Sequence, residues 1–598
     1  MSTKEAKTMA PKSSPKAPEQ MTGAEMVIQA LIEQGVDTIF GYPGGAVLPI
    51  YDEIFKNQDK IKHVLVRQEG GAIHAAEGYA RSTGKVGCAL VTSGPGATNA
   101  VTGLTDALMD SIPVVCITGQ VPTFLIGTSA FQEADTTGIT RPCTKHNYLV
   151  KDADEISDVM HEAFHVSRSG RPGPVVIDIP KDVQFAKGTY KNAQKPATQA
   201  YQPKTEPDMA AIEAAVELMA NAKQPVFHTG GGVINAGPEA SKLLRELVRT
   251  TGFPITSTLM GLGAYPANDQ QWLGMLGMHG TFEANWAMHD CDVMINIGAR
   301  FDDRVTGRTD KFSPNSTKIH VDIDPSSINK NIQVDIPIVA DATAALKAMI
   351  QVWKKRKYKT DQAAMKKWWD QIETWRAKNC LAYKSDDKII KPQYALERLR
   401  YFTEKDKRET FITTEVGQHQ MWAAQFLPFN EPNRWMTSGG LGTMGYGLPA
   451  AIGTQLAHPD ALVVDVAGEA SILMNIQEMS TAVQYRTPVK IFILNNQWMG
   501  MVRQWQELLH GERYSESYTE SLPDFVKLAE AYGGIGLRAT NPSELDDVIQ
   551  EMLKTDRVTI VDVCVDQKEN CFPMIPSGKA HNEMILSPDA DQFDKSLV

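Results

Sequence analysis

The stretch VVDVAGEASILMNIQEMSTAVQYRTPVKIFILNNQ, residues 463–497, decides the fold of the chain. Two apolar, β-branched runs flank a segment with helical spacing, and this order predicts a βαβ unit with parallel strands. A plain βαβ unit does not require the polar residues at its strand ends: Glu469 follows the first strand, and Asn495 and Asn496 end the second. The carboxyl ends of parallel strands lie at one edge of a sheet, so we expect these side chains to face one crevice.

The same α/β pattern occurs along most of the chain. Short β-branched runs that end in glycine, each followed by a helical period, indicate parallel sheets with crossover helices. We therefore predict an α/β fold with three doubly wound parallel-sheet domains and a C-terminal tail. The predicted segments are a flexible N-terminal tail at 1–20, a first domain at 21–185, a linker at 186–206, a central domain at 207–350, a connecting helix at 351–390, a third domain at 391–566 and the C-terminal tail at 567–598.

Composition narrows the class of protein. At 598 residues the chain is too long for one hydrophobic core, and its net charge of −11 offers no basic field to a nucleic acid. Seven scattered cysteines without a CxxC pair indicate reduced thiols, not a zinc site or a disulfide framework. No apolar run approaches the roughly 18 residues that span a membrane. The first 20 residues lack the apolar core of a secretory signal, so we expect a cytoplasmic protein.

The residue types at the strand ends predict a Mg²⁺-diphosphate site. A carboxylate from Glu469, an amide oxygen from Asn496 and a backbone carbonyl are the hard oxygen donors that Mg²⁺ prefers. Backbone N–H groups at Ala470 and Ser471, where a helix is predicted to begin, favour phosphate oxygens. The spacing resembles the thiamine diphosphate motif, in which Gly-Asp-Gly is followed at about this distance by Asn-Asn. Two positions depart from that motif, because Glu469 replaces its Asp and Ala470 replaces its second Gly.

Thiamine chemistry also needs a carboxylate that hydrogen-bonds the aminopyrimidine and promotes deprotonation of the thiazolium carbon. Glu69, in RQEGGAIHAAEGYA, follows the strand HVLV and has glycines beside it that permit close approach. Glu77, eight residues further on, has no such position. We predict Glu69 as the activating acid and Glu77 as an ordinary acid on a helix face.

Three further features fit the same cofactor. Met444, among glycines in SGGLGTMGYGLPAAIG, is an apolar residue that could support a bent cofactor. Gln418 and His419, on a predicted loop after the strand TFITTEV, could donate to diphosphate oxygens. The turn at 94–96, Gly-Pro-Gly, punctuates a strand-to-helix connection and is weak evidence alone. Together these features occur in the order that thiamine chemistry needs, on two separate α/β domains.

Longer motifs extend the resemblance to one family. The chain is similar to the catalytic subunits of acetohydroxyacid synthase, also called acetolactate synthase, from Met21 to near its C-terminus. The motifs that carry this resemblance are GYPGGAVLPIYD, RQEGGAIHAAEGYAR, TSGPGATN, ITGQVPT, GTSAFQEAD, SGRPGPVVIDIPKDV, GARFDDRVTG, GGLGTMGYGLPAAIG and NNQWMGMVRQWQELL.

The resemblance implies an activity. Such enzymes decarboxylate pyruvate with thiamine diphosphate, Mg²⁺ and FAD, and join the two-carbon product to a second 2-keto acid. Pyruvate as acceptor gives 2-acetolactate, and 2-ketobutyrate gives 2-aceto-2-hydroxybutyrate, in valine, leucine and isoleucine synthesis. The three domains then become a pyrimidine-binding domain, a central FAD-binding domain and a thiamine diphosphate/Mg-binding domain.

The resemblance also implies roles for individual residues. The reacting centre would contain Glu69, Gln120 and Gly45, and the Mg²⁺ would be held by Glu469, Asn496 and the Trp498 carbonyl. Arg304 would bind the acceptor carboxylate, Trp505 would favour the larger acceptor, and Lys181 and Met278 would line the channel. Thiamine diphosphate would contact Gly417, Gln418, His419, Gly442, Met444, Ala470, Ser471, Gly500 and Met501. FAD would contact Arg171, Gly230, Gly231, Gly232, Thr258, Leu259, His279, Gly298, Arg300, Asp302, Asp322, Ile323, Asp341 and Ala342.

The same resemblance implies an assembly, because Glu69 of one subunit would meet the diphosphate half of another. We expect a homodimer or homotetramer, with a separate small regulatory subunit, and neither nucleic acid nor membrane as a partner. Two alternatives stay open. One is another thiamine-dependent keto-acid enzyme, such as a pyruvate oxidase, a glyoxylate carboligase or an FAD-free catabolic acetolactate synthase, although Glu69 speaks against the carboligase, which lacks that acid. The other is a non-catalytic binding paralogue, suggested by Glu469 and Ala470.

Overall fold

The computed structural model describes residues 20–191 and 201–588. It contains three six-stranded parallel sheets, each flanked by helices, and so confirms the predicted fold class. Three predicted segments lie wholly or partly outside the described residues: the N-terminal tail apart from Gln20, residues 192–200 of the linker, and residues 589–598 of the C-terminal tail. No helix in the described ranges combines the length and the apolar character needed to cross a membrane.

The first sheet has the strand order β3-β2-β4-β5-β7-β6, with the short pair β1 and β8 beside it. The edge strand β6 was not predicted from the sequence. The strands are β1 Gln20–Thr22, β2 Thr38–Tyr42, β3 Lys62–Leu65, β4 Gly87–Val91, β5 Val114–Gln120, β6 His146–Leu149, β7 Val175–Pro180 and β8 Lys187–Thr189. The helices are α1 Gly23–Glu33, α2 Leu48–Lys56, α3 Glu69–Thr83, α4 Pro95–Asn99, α5 Val101–Asp110, α6 Thr136–Thr140, α7 Ile156–Arg168 and α8 Lys181–Phe185.

The central sheet has the order β11-β10-β9-β12-β13-β14. Its strands are β9 Pro225–Thr229, β10 Ile255–Ser257, β11 Trp272–Met275, β12 Val293–Ile297, β13 Thr317–Asp322 and β14 Ile336–Val339. Its helices are α9 Met209–Asn221, α10 Gly231–Asn235, α11 Pro238–Thr251, α12 Phe282–Asp290, α13 Asp303–Thr306, α14 Ala342–Arg356 and α15 Gln362–Arg376. Helix α14 crosses the predicted boundary at 350, and α15, within the predicted connecting helix, buries Trp368 in the central core, where its Nε1 donates to the Pro225 carbonyl at 3.1 Å.

The third sheet has the order β16-β15-β17-β18-β20-β19. Its strands are β15 Thr410–Thr414, β16 Trp435–Met436, β17 Leu462–Ala467, β18 Lys490–Asn495, β19 Ile535–Ala539 and β20 Thr559–Cys564. Its helices are α16 Pro392–Lys405, α17 Gln418–Phe426, α18 Gly447–Ala457, α19 Glu469–Ile472, α20 Met479–Gln484, α21 Gly500–Leu509, α22 Phe525–Tyr532 and α23 Pro542–Lys554. The predicted helix between β17 and β18 is therefore two short helices, α19 and α20, joined by a 3-10 turn at Ile476–Glu478.

The first and third sheets are joined through helices α3 and α18. A Cβ placed on Gly78 would collide with the Ala450 backbone, and one on Gly453 would collide with the Ala75 backbone. Glycine at these two positions lets the helix backbones touch, because no side chain separates them. This contact fixes how the first and third sheets are placed relative to each other.

The described part of the C-terminal segment folds back over the central and third domains. The Ile575 N–H donates to the Met278 carbonyl at 2.8 Å, and the Arg308 N–H donates to the Lys579 carbonyl at 3.0 Å. An isolated antiparallel bridge joins Met574 to Ile585. The segment thereby covers one side of the space between these domains.

Candidate active site

A single cavity of about 1080 Å³ lies where the strand ends of the central and third sheets face each other. Every residue predicted to bind metal, thiamine diphosphate or FAD lines it, apart from Gly230. Of the predicted substrate residues, Arg304, Trp505 and Met278 line the cavity, whereas Lys181 does not. The geometry thus brings two cofactor regions, predicted from separate motifs, into one continuous space.

The metal end of the cavity centres on Glu469, the first residue of α19. Its side chain is about 1% exposed, and its Oε1 has no hydrogen-bond partner. Burial raises the pKa of this carboxyl to about 8, and the negative charge of Asp562 acts in the same direction. Asn496, directly after β18, accepts a hydrogen bond from the Trp498 N–H at 3.1 Å. A buried carboxylate oxygen without a partner, beside an amide oxygen, fits a divalent cation.

Gln418 and His419 are not on a loop, as predicted, but in the first turn of α17, where both are buried. Gln418 Oε1 accepts from Asn496 Nδ2 at 3.1 Å, and its Nε2 donates to Gln504 Oε1 at 2.8 Å. Burial lowers the pKa of His419 to about 3, so its imidazole is neutral. The two side chains therefore present fixed, uncharged polar groups to the cavity beside Glu469.

Met444 lies half-buried in the loop between β16 and α18 and lines the cavity. The Gly445 N–H, next in the chain, donates to the buried carboxylate of Glu415, and the Leu448 N–H donates to its other oxygen at 3.2 Å. On the opposite side, Asn475 Nδ2 donates to the Gly445 carbonyl at 2.6 Å. These contacts fix the backbone that carries Met444. Sequence reasoning missed Glu415, although its position after β15 was a usable signal.

The flavin end is built on the three-glycine turn after β9. A Cβ on Gly232 would lie 2.8 Å from Gly298 Cα, so the turn and the end of β12 touch backbone to backbone. Gly230 packs against Gly298 and Ala299 and does not face the cavity, whereas Gly231 and Gly232 do. Glycine here keeps side chains out of the cavity, which leaves room for a pyrophosphate close to the backbone. These residues fit FAD.

Arg304, Trp505 and Met278 also line the cavity. The Arg304 guanidinium carbon lies 5.7 Å from the centroid of the Trp505 ring, within the range of a cation–π contact. The Met278 N–H donates to the Arg304 carbonyl at 2.8 Å, which ties the channel residue to the arginine backbone. Arg304 is half exposed, and its nearest acid is Asp303 at 3.6 Å. Its guanidinium group is thus accessible to a carboxylate ligand.

The three predicted catalytic residues and the predicted channel residue Lys181 lie at the strand ends of the first sheet and do not line this cavity. Glu69, the first residue of α3, accepts from Asn99 Nδ2 at 2.9 Å. Gln120, at the end of β5, donates from Nε2 to Asp178 Oδ2 at 2.9 Å. Gly45 follows β2, and Lys181 follows β7, so all four occupy one edge of the sheet.

Glu77 is not an ordinary acid on a helix face, contrary to the sequence prediction. It is fully buried, its Oε1 lies 3.0 Å from His74 Nδ1, and burial raises its pKa well above the usual range. The prediction failed because α18 covers this face of α3, a tertiary contact that local sequence does not encode. Asp106 and Asp110, two further buried acids on α5, were also missed. Their spacing, one helical turn apart on a largely apolar helix, was a signal that could have found them.

Family models match part of each of the three domains. The thiamine pyrophosphate enzyme N-terminal TPP binding domain matches residues 21–139, the central domain matches 212–349 and the C-terminal TPP binding domain matches 415–563.

Curated relatives match almost the whole chain. The acetolactate synthase isozyme 3 large subunit of Escherichia coli (strain K12) is 49% identical over 95% of this chain and 99% of its own length. The acetolactate synthase large subunit of Haemophilus influenzae (strain ATCC 51907 / DSM 11121 / KW20 / Rd) is 49% identical over 96% and 99%. The acetolactate synthase of Mycobacterium leprae (strain TN) is 47% identical over 95% and 91%. The chain therefore belongs to the acetolactate synthase large-subunit family of thiamine pyrophosphate enzymes.

Proposed function

We propose that the protein is an acetolactate synthase, which decarboxylates pyruvate and joins the two-carbon product to a second 2-keto acid. The products would be 2-acetolactate from pyruvate and 2-aceto-2-hydroxybutyrate from 2-ketobutyrate, as in valine, leucine and isoleucine biosynthesis. The observation that carries this proposal is the single cavity, lined at one end by the partnerless Glu469 oxygen, at another by the glycine turn, and also by Arg304 and Trp505.

The chain's own residues supply binding and proton transfer. Glu469, Asn496 and the Trp498 carbonyl would hold Mg²⁺, and α17 would present Gln418 and His419 to a diphosphate. Thiamine diphosphate, when bound, supplies the carbon nucleophile that no side chain offers. Glu69 would exchange a proton with the pyrimidine ring of that cofactor as a general acid–base.

Arg304 and Trp505, which line the cavity, would select the substrate. The Arg304 guanidinium can bind a keto-acid carboxylate through two parallel hydrogen bonds, a geometry that lysine lacks. The Trp505 ring, packed against Arg304, would shape the space for the acceptor's alkyl group. FAD would occupy the glycine-turn end, although carboligation involves no net redox change.

A product assay tests the proposal. Purified protein is given pyruvate and 2-ketobutyrate, with thiamine diphosphate, Mg²⁺ and FAD omitted one at a time. We expect both carboligation products with all three cofactors and a loss of both when any one is missing. Acetate formation with oxygen-dependent turnover would instead indicate a pyruvate oxidase, and no turnover with all cofactors bound would indicate a non-catalytic paralogue.

Trp505→Leu should change the product ratio more than the total rate. A smaller side chain removes contact with the extra methylene of 2-ketobutyrate, and pocket contacts of this size are worth about tenfold or more in discrimination. We expect the preference for 2-ketobutyrate over pyruvate as acceptor to fall by about tenfold, measured from both products at equal substrate concentrations.

Trp369→Leu is the matched control. Trp369 is half-buried on α15, donates to the Gly252 carbonyl at 3.1 Å and does not line the cavity. It should leave the product ratio unchanged, and an unchanged ratio in Trp505→Leu as well would remove Trp505 from the acceptor site.

We also propose that the active unit is at least a homodimer. Glu69 and Gln120 lie away from the cavity of their own chain, and the same domain exposes large apolar side chains: Phe131 is 88% exposed, Phe124 74% and Phe185 62%. Exposed apolar side chains of this size favour burial against another protein surface. The small regulatory subunit and the cytoplasmic location remain predictions from the sequence.

Dilution tests the assembly. Phe131→Ser should weaken self-association, so that specific activity falls at protein concentrations where the wild type stays associated in sedimentation velocity. The expected loss is at least about tenfold in association, because burying one phenylalanine contributes about 1.5–3 kcal/mol. Full activity in a monomeric wild-type protein would refute the dimer.

A further inference from the structure

One loop runs along the cavity between its two cofactor regions. We call residues 438–444 the bridging loop; apart from Thr443, all of them line the cavity. At its start, a Cβ on Gly440 would lie 2.9 Å from the Arg300 guanidinium, at the flavin end. At its other end stand Gly442 and Met444, among the residues assigned to thiamine diphosphate. The position of this loop therefore affects both cofactor sites.

Helix α5 of the first sheet supports the flavin end of the bridging loop through Asp110. Its Oδ2 accepts from the Gly439 N–H at 2.9 Å, and its Oδ1 accepts from the Gly440 N–H at 2.6 Å. Both oxygens are thus used as acceptors of backbone N–H groups. Arg81 Nη1 lies 4.0 Å from Oδ2 and supplies the compensating charge.

Asp106, one helical turn earlier, supports the other end differently. Its Oδ1 accepts from the Ser438 hydroxyl and, at 3.2 Å, from the Thr443 hydroxyl. The Ser438 oxygen in turn accepts from the Thr443 N–H at 2.8 Å, which closes the loop on itself. Ser438 and Asp106 are both fully buried, so water does not replace these bonds.

The second oxygen of Asp106 faces α3 rather than the loop. Glu77 Oε2 and Asp106 Oδ2 are both buried without a hydrogen-bond partner. His74 Nδ1 lies 4.0 Å from Asp106 Oδ2, and one ligand atom each of His74, Glu77 and Asp106 lies within 4.8 Å of the other two. Two buried carboxyl groups this close disfavour both being charged, because adjacent buried charges repel each other. Toward the loop, then, Asp106 needs only one acceptor oxygen, whereas Asp110 needs two.

We propose that Asp106 and Asp110 are positioning residues for the cofactors: Asp110 sets the flavin end of the bridging loop, and Asp106 sets the end that carries Met444. The proposal rests on the proposed function for the identity of the two cofactors. It adds two acids to the residues by which the first domain shapes the cavity: Asp110 lines the cavity, as Arg171 does, whereas Asp106 acts from outside it.

The different acceptor needs of the two acids define the experiment. Asp110→Asn replaces one acceptor oxygen with an N–H₂ group that faces a backbone N–H. The free energy cost of a buried N–H group without an acceptor is large enough to weaken FAD binding about tenfold. We expect FAD affinity, measured by flavin fluorescence, to fall about tenfold, and hydrogen exchange at the Gly439 and Gly440 amides of the cofactor-free protein to accelerate about tenfold.

Asp106 should respond in the opposite way to the same change. Asp106→Asn keeps Oδ1 as the acceptor for the two hydroxyls, and its N–H₂ group takes the place of Oδ2, which bonds neither the loop nor α3. We expect thiamine diphosphate affinity within about twofold of the wild type. Asp106→Ala removes the acceptor from two buried hydroxyls and should weaken thiamine diphosphate binding about tenfold.

Asp361→Asn is the matched control. Asp361 also accepts from two backbone N–H groups, those of Ala363 and Ala364 at 3.1 Å each, but caps α15 and does not line the cavity. It should leave both cofactor affinities unchanged. Wild-type FAD affinity and amide exchange in Asp110→Asn would overturn the proposal, as would an Asp106→Asn protein as defective as Asp106→Ala. Absence of carboligation in the wild type would instead refute the proposed function, because amide exchange and cofactor binding are measured without turnover.

Discussion

Glu69→Gln should lower kcat for both carboligation products by at least about 100-fold, the range expected when a general acid–base is removed. Glutamine has nearly the same shape and can still accept the Asn99 hydrogen bond seen at 2.9 Å, so the fold at the start of α3 should persist. It cannot exchange a proton with the cofactor. Steady-state kinetics at saturating cofactors measure the loss, and equilibrium binding should show thiamine diphosphate affinity changed far less than kcat.

Asp158→Asn provides the comparison for this variant. Asp158 lies on α7 of the same domain, where its half-exposed carboxylate pairs with Lys191 at 2.6 Å, a contact of small energetic value. It should retain wild-type rates. A Glu69→Gln protein with kcat within about threefold of the wild type would remove Glu69 from the reaction, since proton transfer by a positioned acid contributes far more than that.

Glu469→Ala should abolish Mg²⁺-dependent binding of thiamine diphosphate. Even groups that only orient metal ligands contribute about 10–100-fold in metal affinity, so loss of the carboxylate itself should cost at least about 100-fold. In the wild type, Mg²⁺ with thiamine diphosphate should raise the melting temperature, because ligands that bind only the folded state stabilise it. In Glu469→Ala that increase should disappear at the same ligand concentrations, as measured by differential scanning calorimetry.

Glu469→Asp tests the effect of side-chain length, because it keeps the negative charge. It restores the motif's usual carboxylate, one methylene shorter, and should bind Mg²⁺ whether or not the longer side chain is optimal. A large gain in Mg²⁺ affinity or turnover would show that glutamate weakens the wild-type site, and an unchanged value would show that Glu469 reaches the ion by a different rotamer. Ligand-induced stabilisation of Glu469→Ala equal to that of the wild type would place the metal elsewhere.

The sequence predicted the three parallel sheets because strand and helix periodicities are local. It also predicted the residues at strand ends, such as Glu469 and Asn496, because the topology of parallel sheets brings these ends together. Edge strands were harder to predict from the sequence. Strand β6, HNYL, is only partly buried and carries no clear alternation, so its pairing depends on the neighbouring strand β7.

Features that depend on contacts between domains were not predictable in this way. Glu77 is buried only because α18 packs on α3, and Asp106 and Asp110 acquire their roles only because the bridging loop lies over α5. Gln418 and His419 were assigned to a loop, since nothing local distinguishes the first turn of α17 from the end of the preceding turn. The burial and the roles of the three acids depend on the packing of segments far apart in sequence.

Mixing the two inactive variants tests most directly whether each reaction centre combines the cavity of one copy with Glu69 of another. Glu69→Gln and Glu469→Ala are unfolded together in equal amounts, refolded, and assayed for 2-acetolactate and 2-aceto-2-hydroxybutyrate with all cofactors. Hybrid dimers would then contain one site with both substitutions and one with neither. We expect carboligation to recover to about a quarter of the wild-type value, since random association makes half of the dimers hybrids and each has one intact site. Activity no higher than that of either variant alone would contradict a shared site.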